Sequence, residues 1–430
     1  MRTVSKTVIG VDFGTQSARA VLVNAENGEI IYSCRKEYPY NSTPVPAIDC
    51  AENLPCATDY EMTLYELLRN VIPEEYRKTV AGICIDATSL TMVLLAEDGR
   101  ALSELDGWSE AAHARVKLWK YHRAQEKADE ALNLASNLQE PFLGRTGGSI
   151  SCEWMLPKLL EVRDEAPEIY SKIDLAMDLC EFLTFRLTGQ LVRSIGSLSY
   201  KCLWAEDLSF PERTFLNGLR AGFYEEYCHF LRGDVRKPGE CAGMLRSELT
   251  KRWGLPEQIP VATGMLDGHT SLATMGAFEP GDAALIVGTS NVCTVQDRKL
   301  QELKDVCGVA QEGMVTGSCG IDTGQSSTGN MLGWFVEHMA GWQIHREAEE
   351  RKISPHQVLA ERIQKPWENK VIAVDWWSGS RNAPCDLTLR GSMSGLEMDT
   401  KTEDIYLALL QAIACGTGTI LESLSGQGVE

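Results

Sequence analysis

Apolar and polar positions at the start of the chain follow a strand-like pattern broken by turn residues. Val8 to Phe13, Ala18 to Asn24 and Glu29 to Ser33 predict an antiparallel meander of three strands, with Asn27-Gly28 as its second turn. A helix is expected at about Tyr60 to Asn70. Strands follow over Val80 to Asp86 and Thr91 to Ala96, with Glu97-Asp98-Gly99 as the turn signal. From Ala111 to Leu138 the pattern is helix-forming and amphipathic. Ser151-Cys152-Glu153-Trp154 opens a further apolar-periodic run to Val162, in which Pro157 is tolerable near the first turn. Signals are mixed between Ser194 and Gly254, and a boundary near Gly254-Leu255-Pro256 divides the chain into domains 1–254 and 255–430.

The second half predicts a strand over Ile259 to Thr263, a turn carrying Asp267, a short helix over Ser271 to Met275 and a hairpin at Gly288. Val315 to Cys319 continues the sheet, and Gly324 to Met339 reads as helix. Thr400-Lys401-Thr402-Glu403 has capping-box spacing and starts a helix through Ala408, Leu409, Ala412 and Ile413 to about Leu424. The plan of the first half is repeated only as far as this helix. One strand-helix element is therefore expected to be missing, which makes the fold α/β with an incomplete second domain.

Two of these hairpins share a phrase, Val8-Ile9-Gly10-Val11-Asp12-Phe13-Gly14-Thr15-Gln16-Ser17 and Ala284-Leu285-Ile286-Val287-Gly288-Thr289-Ser290-Asn291. A Gly/Thr/Ser tip suits phosphate: glycine lets the backbone come close, successive N–H groups can share one concavity, and hydroxyls add neutral donors. Either phrase alone is usually a plain turn between strands. Their repetition, with Asp12 added, points to two halves facing one polyphosphate.

With 430 residues, 44% of them hydrophobic and 23% charged, the chain has the size and composition of two or more globular domains. A formal charge of −19 disfavours nucleic acid and anionic membrane as partners, since no cluster of Lys and Arg offers counterion release. Met1 to Lys6 leads straight into a strand, and no span of about 18 apolar residues is found, so a cytoplasmic protein is expected. Fourteen cysteines contain no C-x-x-C pair, which argues against a zinc ribbon or thioredoxin motif and for small buried hydrophobes. Neither a G-x-x-x-x-G-K-[ST] loop nor a protein-kinase H-R-D set is present, so phosphoryl chemistry here would rest on the two hairpins.

Across its whole length the chain resembles the sugar kinases named for their Phe-Gly-Gly-Tyr motif, members of the actin and hexokinase superfamily. Within them it looks most like the L-ribulokinase branch. The stretches that carry this are VIGVDFGTQSARA at the start, LWKYHRAQEKADE from Leu118, ISCEWMLPKLLEV from Ile150, YKCLW from Tyr200, DGH at Asp267, IVGTSN from Ile286 and GQSSTGNMLGWF from Gly324. The DFGT and GTS phrases mark the superfamily, and the LWK-x-H, SEW-like and YK-x-LW phrases are the specific ones. The resemblance implies two ribonuclease-H-like domains with a sugar-binding cleft between them. It also implies ATP-dependent phosphorylation of a ketopentose, L-ribulose to its 5-phosphate in arabinose catabolism, with ATP and Mg²⁺ as cofactors.

Asp267 lies after a strand-like run and before a helix, where a carboxylate can act as general base; an N-cap aspartate is the plainer reading. By resemblance Asp12 holds Mg²⁺ through water. Gly14, Thr15, Gln16, Gly288, Thr289 and Ser290 then cradle phosphates, while Thr88, Ser89, Lys201, Asp267 and Asp322 meet the sugar, with Lys201 on its carbonyl oxygen. Lys120 and His122 are left outside the catalytic set. Two departures stand out. Asp322-Thr323 occupies the place of a Glu-Ala pair, one methylene shorter, and the family's C-terminal Gly-Gly-x-x-[KR]-type turn, which packs on adenine and ribose, is not found before Glu430. Low activity of this 430-residue chain, with an unpaired sheet edge, is expected to follow. The alternatives left open are a kinase for xylulose, D-ribulose or ribitol, and a truncated sugar-binding remnant. Expected partners are a small-molecule sugar and ATP, and the assemblies open to the chain include a homodimer.

Overall fold

The opening meander forms as the alternation predicts. In the computed structural model, which describes residues 5–38, 54–381, 385–386 and 388–430, β1 (Thr7–Phe13) buries Ile9, Val11 and Phe13 on one face and leaves Val8, Gly10 and Asp12 partly open on the other. β1 pairs antiparallel with β2 (Ser17–Asn24), and β2 with β3 (Ile30–Glu37). Helix α1 (Ala57–Val71) covers this sheet with Tyr60, Leu64, Leu67, Leu68 and Val71, and each such fully buried side chain contributes roughly 1.5–3 kcal/mol.

β4 (Val80–Ala87) lies parallel to β1 on its other edge, and Pro260–Ala262 and Met265–Leu266 run parallel to β4 in turn. In this register Asp12 stands beside Asp86, and Asp86 beside Met265, two residues before Asp267. The carboxyl ends of three parallel strands thus converge, which is where ligands collect in open α/β sheets.

Of the next elements, one forms as expected but outside this sheet and one is shorter than expected. The strand β5 (Met92–Leu95) does not join this sheet but pairs antiparallel with β6 (Leu175–Asp178). Of Ala111 to Leu138 only α2 (Gln125–Leu138) is α-helix; before it the chain makes one 3-10 turn at Ala112–Ala114, and Met92 and Lys117 exchange backbone hydrogen bonds at 2.9 and 3.1 Å that hold Lys117 out of a helix. Such tertiary pairing outweighs local helix propensity. The following helix, α3 (Met155–Glu165), carries Pro157 in its first turn as expected.

The chain divides into two compact units, one holding the residues up to Leu143 with Ser149–Gly276 and Ala310–Cys319, the other holding Gly144–Gly148, Ala277–Val309 and Gly320–Glu430. The main break falls at Gly276/Ala277 rather than near Gly254. Gly254 is instead the left-handed C-cap of the helix Ser247–Trp253, and the strands after it complete the first sheet, so Asp267 belongs to the first unit.

In the second unit the strand order is Ala283–Val287, Asn291–Asp297, Cys319–Gln325 and Gly308–Gln311. Only Cys319 of the expected strand Val315 to Cys319 is extended; the residues before it form a turn closed by the Glu312 N–H donating to the Ser318 carbonyl at 2.8 Å. The helix expected from Gly324 starts at Gly329, since Gly324 and Gln325 finish the strand.

Helix Thr402–Gly426 begins with the Lys401 N–H donating to Asp404 at 2.8 Å, a cap one residue later than predicted. Against the sequence expectation, this helix is long and apolar enough to cross a membrane by length and composition. Its Tyr406 and Leu409 pack with Met331, Phe335, Ile344, Val358 and Leu359, which gives that apolarity a place in a core. No described cysteine is in a disulfide.

Candidate active site

Three carboxylates gather at the end of the first sheet. Asp86 is pushed up to about 8, first by burial and then by the charge of Asp12 and a hydrogen bond to it, with Asp267 adding to the effect. Asp267 opens the helix Asp267–Met275 and is pushed up to about 6, mainly by burial. The N–H groups of Gly268, at 2.7 Å, and Ser89, together with the Lys201 charge, hold it from rising further. Gly264 makes this turn feasible, since a Cβ there would lie 2.7 Å from the Cys180 carbonyl oxygen. Asp12 has a long contact of 3.9 Å to Arg19, both side chains well exposed, which is worth little.

This excess of negative charge suits a hard divalent cation, because adjacent carboxylates that cannot both ionise alone can do so beside one. Asp12 and Asp86 are the residues that could hold it. No group of three or more His, Cys, Asp or Glu side chains able to cage a metal occurs among the described residues, so a cation here would keep several waters, as Mg²⁺ does.

The loop after β4 faces the same place. The Thr88 N–H donates to the Phe13 carbonyl at 2.9 Å, and the Thr88 hydroxyl is engaged with that of Thr91 at 2.8 Å, which makes Thr88 a lock within the loop. Ser89 Oγ is buried with no hydrogen-bond partner, a hydroxyl left over for a ligand. Leu90 then takes a left-handed φ of 62°, which costs a branched side chain roughly 1–2 kcal/mol. Two buried groups hold it there: Asp178 accepts from the Leu90 N–H at 3.0 Å, and Lys158 donates to the Leu90 carbonyl at 2.7 Å and to the Leu118 carbonyl at 2.9 Å. Burial lowers Lys158 to about 7 and raises Asp178 to about 7.

Lys201 ends the helix Ile195–Lys201 and is buried, its Nζ 5.9 Å from the Tyr200 ring centre. Tyr200 packs edge-on against His269 at 4.6 Å, and Gly313 leaves room for it, since a Cβ would meet the ring at 2.6 Å. Leu203, just beyond, also has a left-handed φ, of 56°.

The hairpin tips are held from below. At the first, Tyr38 donates its hydroxyl to the Gly14 carbonyl at 2.9 Å, and the Trp119 indole donates to the Thr15 hydroxyl at 3.1 Å; Gln16 is exposed. At the second, the N–H groups of Gly329 and Thr328 bond to the carbonyls of Gly288 and Thr289 at 3.0 and 3.2 Å. Thr289 is left exposed and Ser290 partly so. A cavity of ≈ 180 Å³ in this unit is lined by Gln325, Asp375, Gly379, Ser380, Gly416 and Thr419 among others.

Of the residues expected at the site, Asp12, Gly14, Thr15, Gln16, Thr88, Ser89, Lys201 and Asp267 belong to the first unit; Gly288, Thr289, Ser290 and Asp322 belong to the second. Asp322 is buried in the strand Cys319–Gln325. His122 pairs with Glu153 at 3.0 Å, and burial lowers Lys120. Asp86, Leu90, Lys158 and Asp178 were not anticipated. For Asp86 a signal was available, since Ile83-Cys84-Ile85-Asp86 repeats the strand-then-aspartate pattern of Asp12.

A sheet whose parallel strand ends carry paired carboxylates, joined in one chain to a second unit with a glycine-rich tip, has the parts that phosphoryl transfer needs. The model of the FGGY family of carbohydrate kinases, N-terminal domain, matches residues 7–274, and that of the C-terminal domain matches residues 283–430. The chain belongs to the FGGY family of carbohydrate kinases. It is 33% identical over 436 residues to a ribulokinase from Halalkalibacterium halodurans, covering 99% of this chain and 77% of that one. To a ribulokinase from Mycolicibacterium smegmatis it is 36% identical over 440 residues, again covering 99% and 77%. Among solved structures it is similar to xylulose kinase from Rhodospirillum rubrum, with a TM-score of 0.74 at 20% identity over 98% of this chain and 80% of that one. Glycerol kinase from Plasmodium falciparum, with ADP, superposes with a TM-score of 0.77 at 17% identity over 99% and 80%. These two likenesses bear on the fold alone.

Proposed function

We propose that the chain phosphorylates a ketopentose with ATP, L-ribulose before others, and that Asp267 is the general base. The observation that carries the assignment is the placing of Asp267: a half-buried carboxylate at a helix start, raised to about 6, beside Lys201 and the Ser89 N–H. Such a group is mostly ionised at neutral pH yet basic enough to take a hydroxyl proton. In the proposed step the proton of the sugar hydroxyl passes to an Asp267 oxygen, the sugar oxygen forms a bond to the γ-phosphorus, and the bond to the ADP oxygen breaks.

Lys201 donates to the carbonyl oxygen of the open-chain sugar, and Ser89 Oγ gains the partner it lacks. The tips at Gly14-Thr15-Gln16 and Gly288-Thr289-Ser290 hold phosphate oxygens, with hydroxyls free to donate outward at Thr289 and Ser290. Mg²⁺, held by Asp12 through water with Asp86 close by, would supply positive charge for the phosphates.

Two relatives named ribulokinases, at 33% and 36% identity, support a ribulose as the acceptor. The shorter Asp322 favours a second reading, a related pentulose or pentitol whose distal hydroxyls are met differently. An ADP-release assay with L-ribulose, D-ribulose, D-xylulose and ribitol decides: the highest kcat/KM is expected for L-ribulose. A clear preference for another sugar refutes that choice, and sugar binding without turnover would leave a binding remnant.

A further inference from the structure

The first unit has a second cavity, of ≈ 670 Å³, away from the carboxylates. It is lined by residues at the C-terminal end of α1, by Arg77 just before β4, and by Arg252 and Trp253 at the end of the helix Ser247–Trp253. Val80 and Asp86 are the first and next-to-last residues of β4, so six steps at about 3.3 Å put this cavity up to about 20 Å along the strand from the proposed reaction centre.

Its charge is out of keeping with the molecule. The chain carries 60 acidic against 41 basic residues, and most described arginines hold a carboxylate. Arg69, Arg77 and Arg252 hold none among the described residues, and all three line this one cavity. The carboxylate in the lining, Glu66, is taken by Lys36 at 3.0 Å. The floor is aromatic: the rings of Tyr65 and Trp253 meet at 5.9 Å between centres, tilted by 58° to one another, and the Arg252 guanidinium lies 5.6 Å from the Tyr65 ring centre. Tyr65 is fixed by donating its hydroxyl to Glu61 at 2.6 Å. Arg77 lies over Gly254, 3.6 Å from where a Cβ would stand.

We propose that this cavity binds a phosphate monoester carried on a small ring-bearing body. Guanidinium groups take phosphate oxygens in pairs, an aromatic floor takes a ring, and the volume falls within the range of small-molecule sites. A nucleoside monophosphate and a sugar phosphate share this chemistry. The site is independent of the kinase reading, since none of its residues belongs to the proposed reaction centre.

The test is calorimetry and hydrogen exchange on the full chain with three probes: AMP, ribose 5-phosphate and orthophosphate. Binding of either ester is expected to protect backbone amides in residues 62–77 and 247–256, and the ester that binds better names the source. The double variant Arg77→Ala/Arg252→Ala, both on exposed or half-exposed positions, is expected to weaken that binding about tenfold or more. Should it fail to fold, Arg252→Gln alone with the exchange map serves the same purpose. Protection confined to other segments, affinity unchanged by the variants, or orthophosphate binding as well as both esters would each overturn the proposal.

Discussion

The carboxylate end of the first sheet and the glycine tip of the second unit are built from opposite materials. At Asp12, Asp86 and Asp267 the site consists of charged side chains forced close together and partly out of water, and its neighbours are also buried ionisable groups, Lys158 and Asp178. At Gly288-Thr289-Ser290 it consists of backbone groups and neutral hydroxyls, fixed by the N–H groups of Thr328, Gly329 and Asn330. The first is electrostatically loaded and rests on long-range supports. The second is neutral, although its supports too lie 39 and 40 residues away. On the proposed reading, chemistry that moves a proton belongs with the first, and holding of an anion with the second.

Asp267→Asn is the largest expected break in that division. It keeps the side chain's size and removes its basicity, so kcat should fall by about 10²–10⁴ while calorimetric sugar binding is retained. Next comes the support beneath Leu90. Lys158→Met strips donors from two buried carbonyls, and denaturant unfolding should show a loss of about 2–4 kcal/mol. At the second tip, Gly329→Ala would set a Cβ 2.5 Å from the Gly288 carbonyl oxygen. The tip must shift, and KM for ATP should rise by about tenfold with kcat less affected, a loss of roughly 1.4 kcal/mol in binding. The smallest effect is expected from Trp119→Phe, which removes one hydrogen bond to Thr15 and should cost about 0.5–1.5 kcal/mol in ATP binding. If Trp119→Phe were the more damaging of these last two, the first tip rather than the second would be the main phosphate holder.

How much of this was legible in the sequence follows the same division. The hairpin tips are local features, written in consecutive residues, and the elements around them formed close to their expected bounds. Asp12 and Asp267 stand out in the sequence because each ends an apolar run and begins a recognisable phrase. Asp86 has the first signal without the second, since no glycine tip follows it. Lys158 and Asp178 act on a loop 68 and 88 residues away, and in sequence a lysine in an apolar helix looks like a surface residue. Leu90 carries no mark of its left-handed backbone, because leucine is not chosen for that conformation but held in it. The irregular path of residues 111–124 arises in part from the pairing of Lys117 with Met92. The domain break was misplaced at Gly254 because a helix C-cap and a linker use the same residue.

The most direct test of Asp267 is the pH profile of kcat/KM for the preferred sugar, measured in wild type from about pH 5 to 9. Asp267 must be ionised to accept the proton, and its pKa is raised to about 6, so the rate should be level above that value and fall below it, approaching tenfold per pH unit. A profile that stays level down to pH 5, in protein shown to remain folded, would contradict Asp267 as the base.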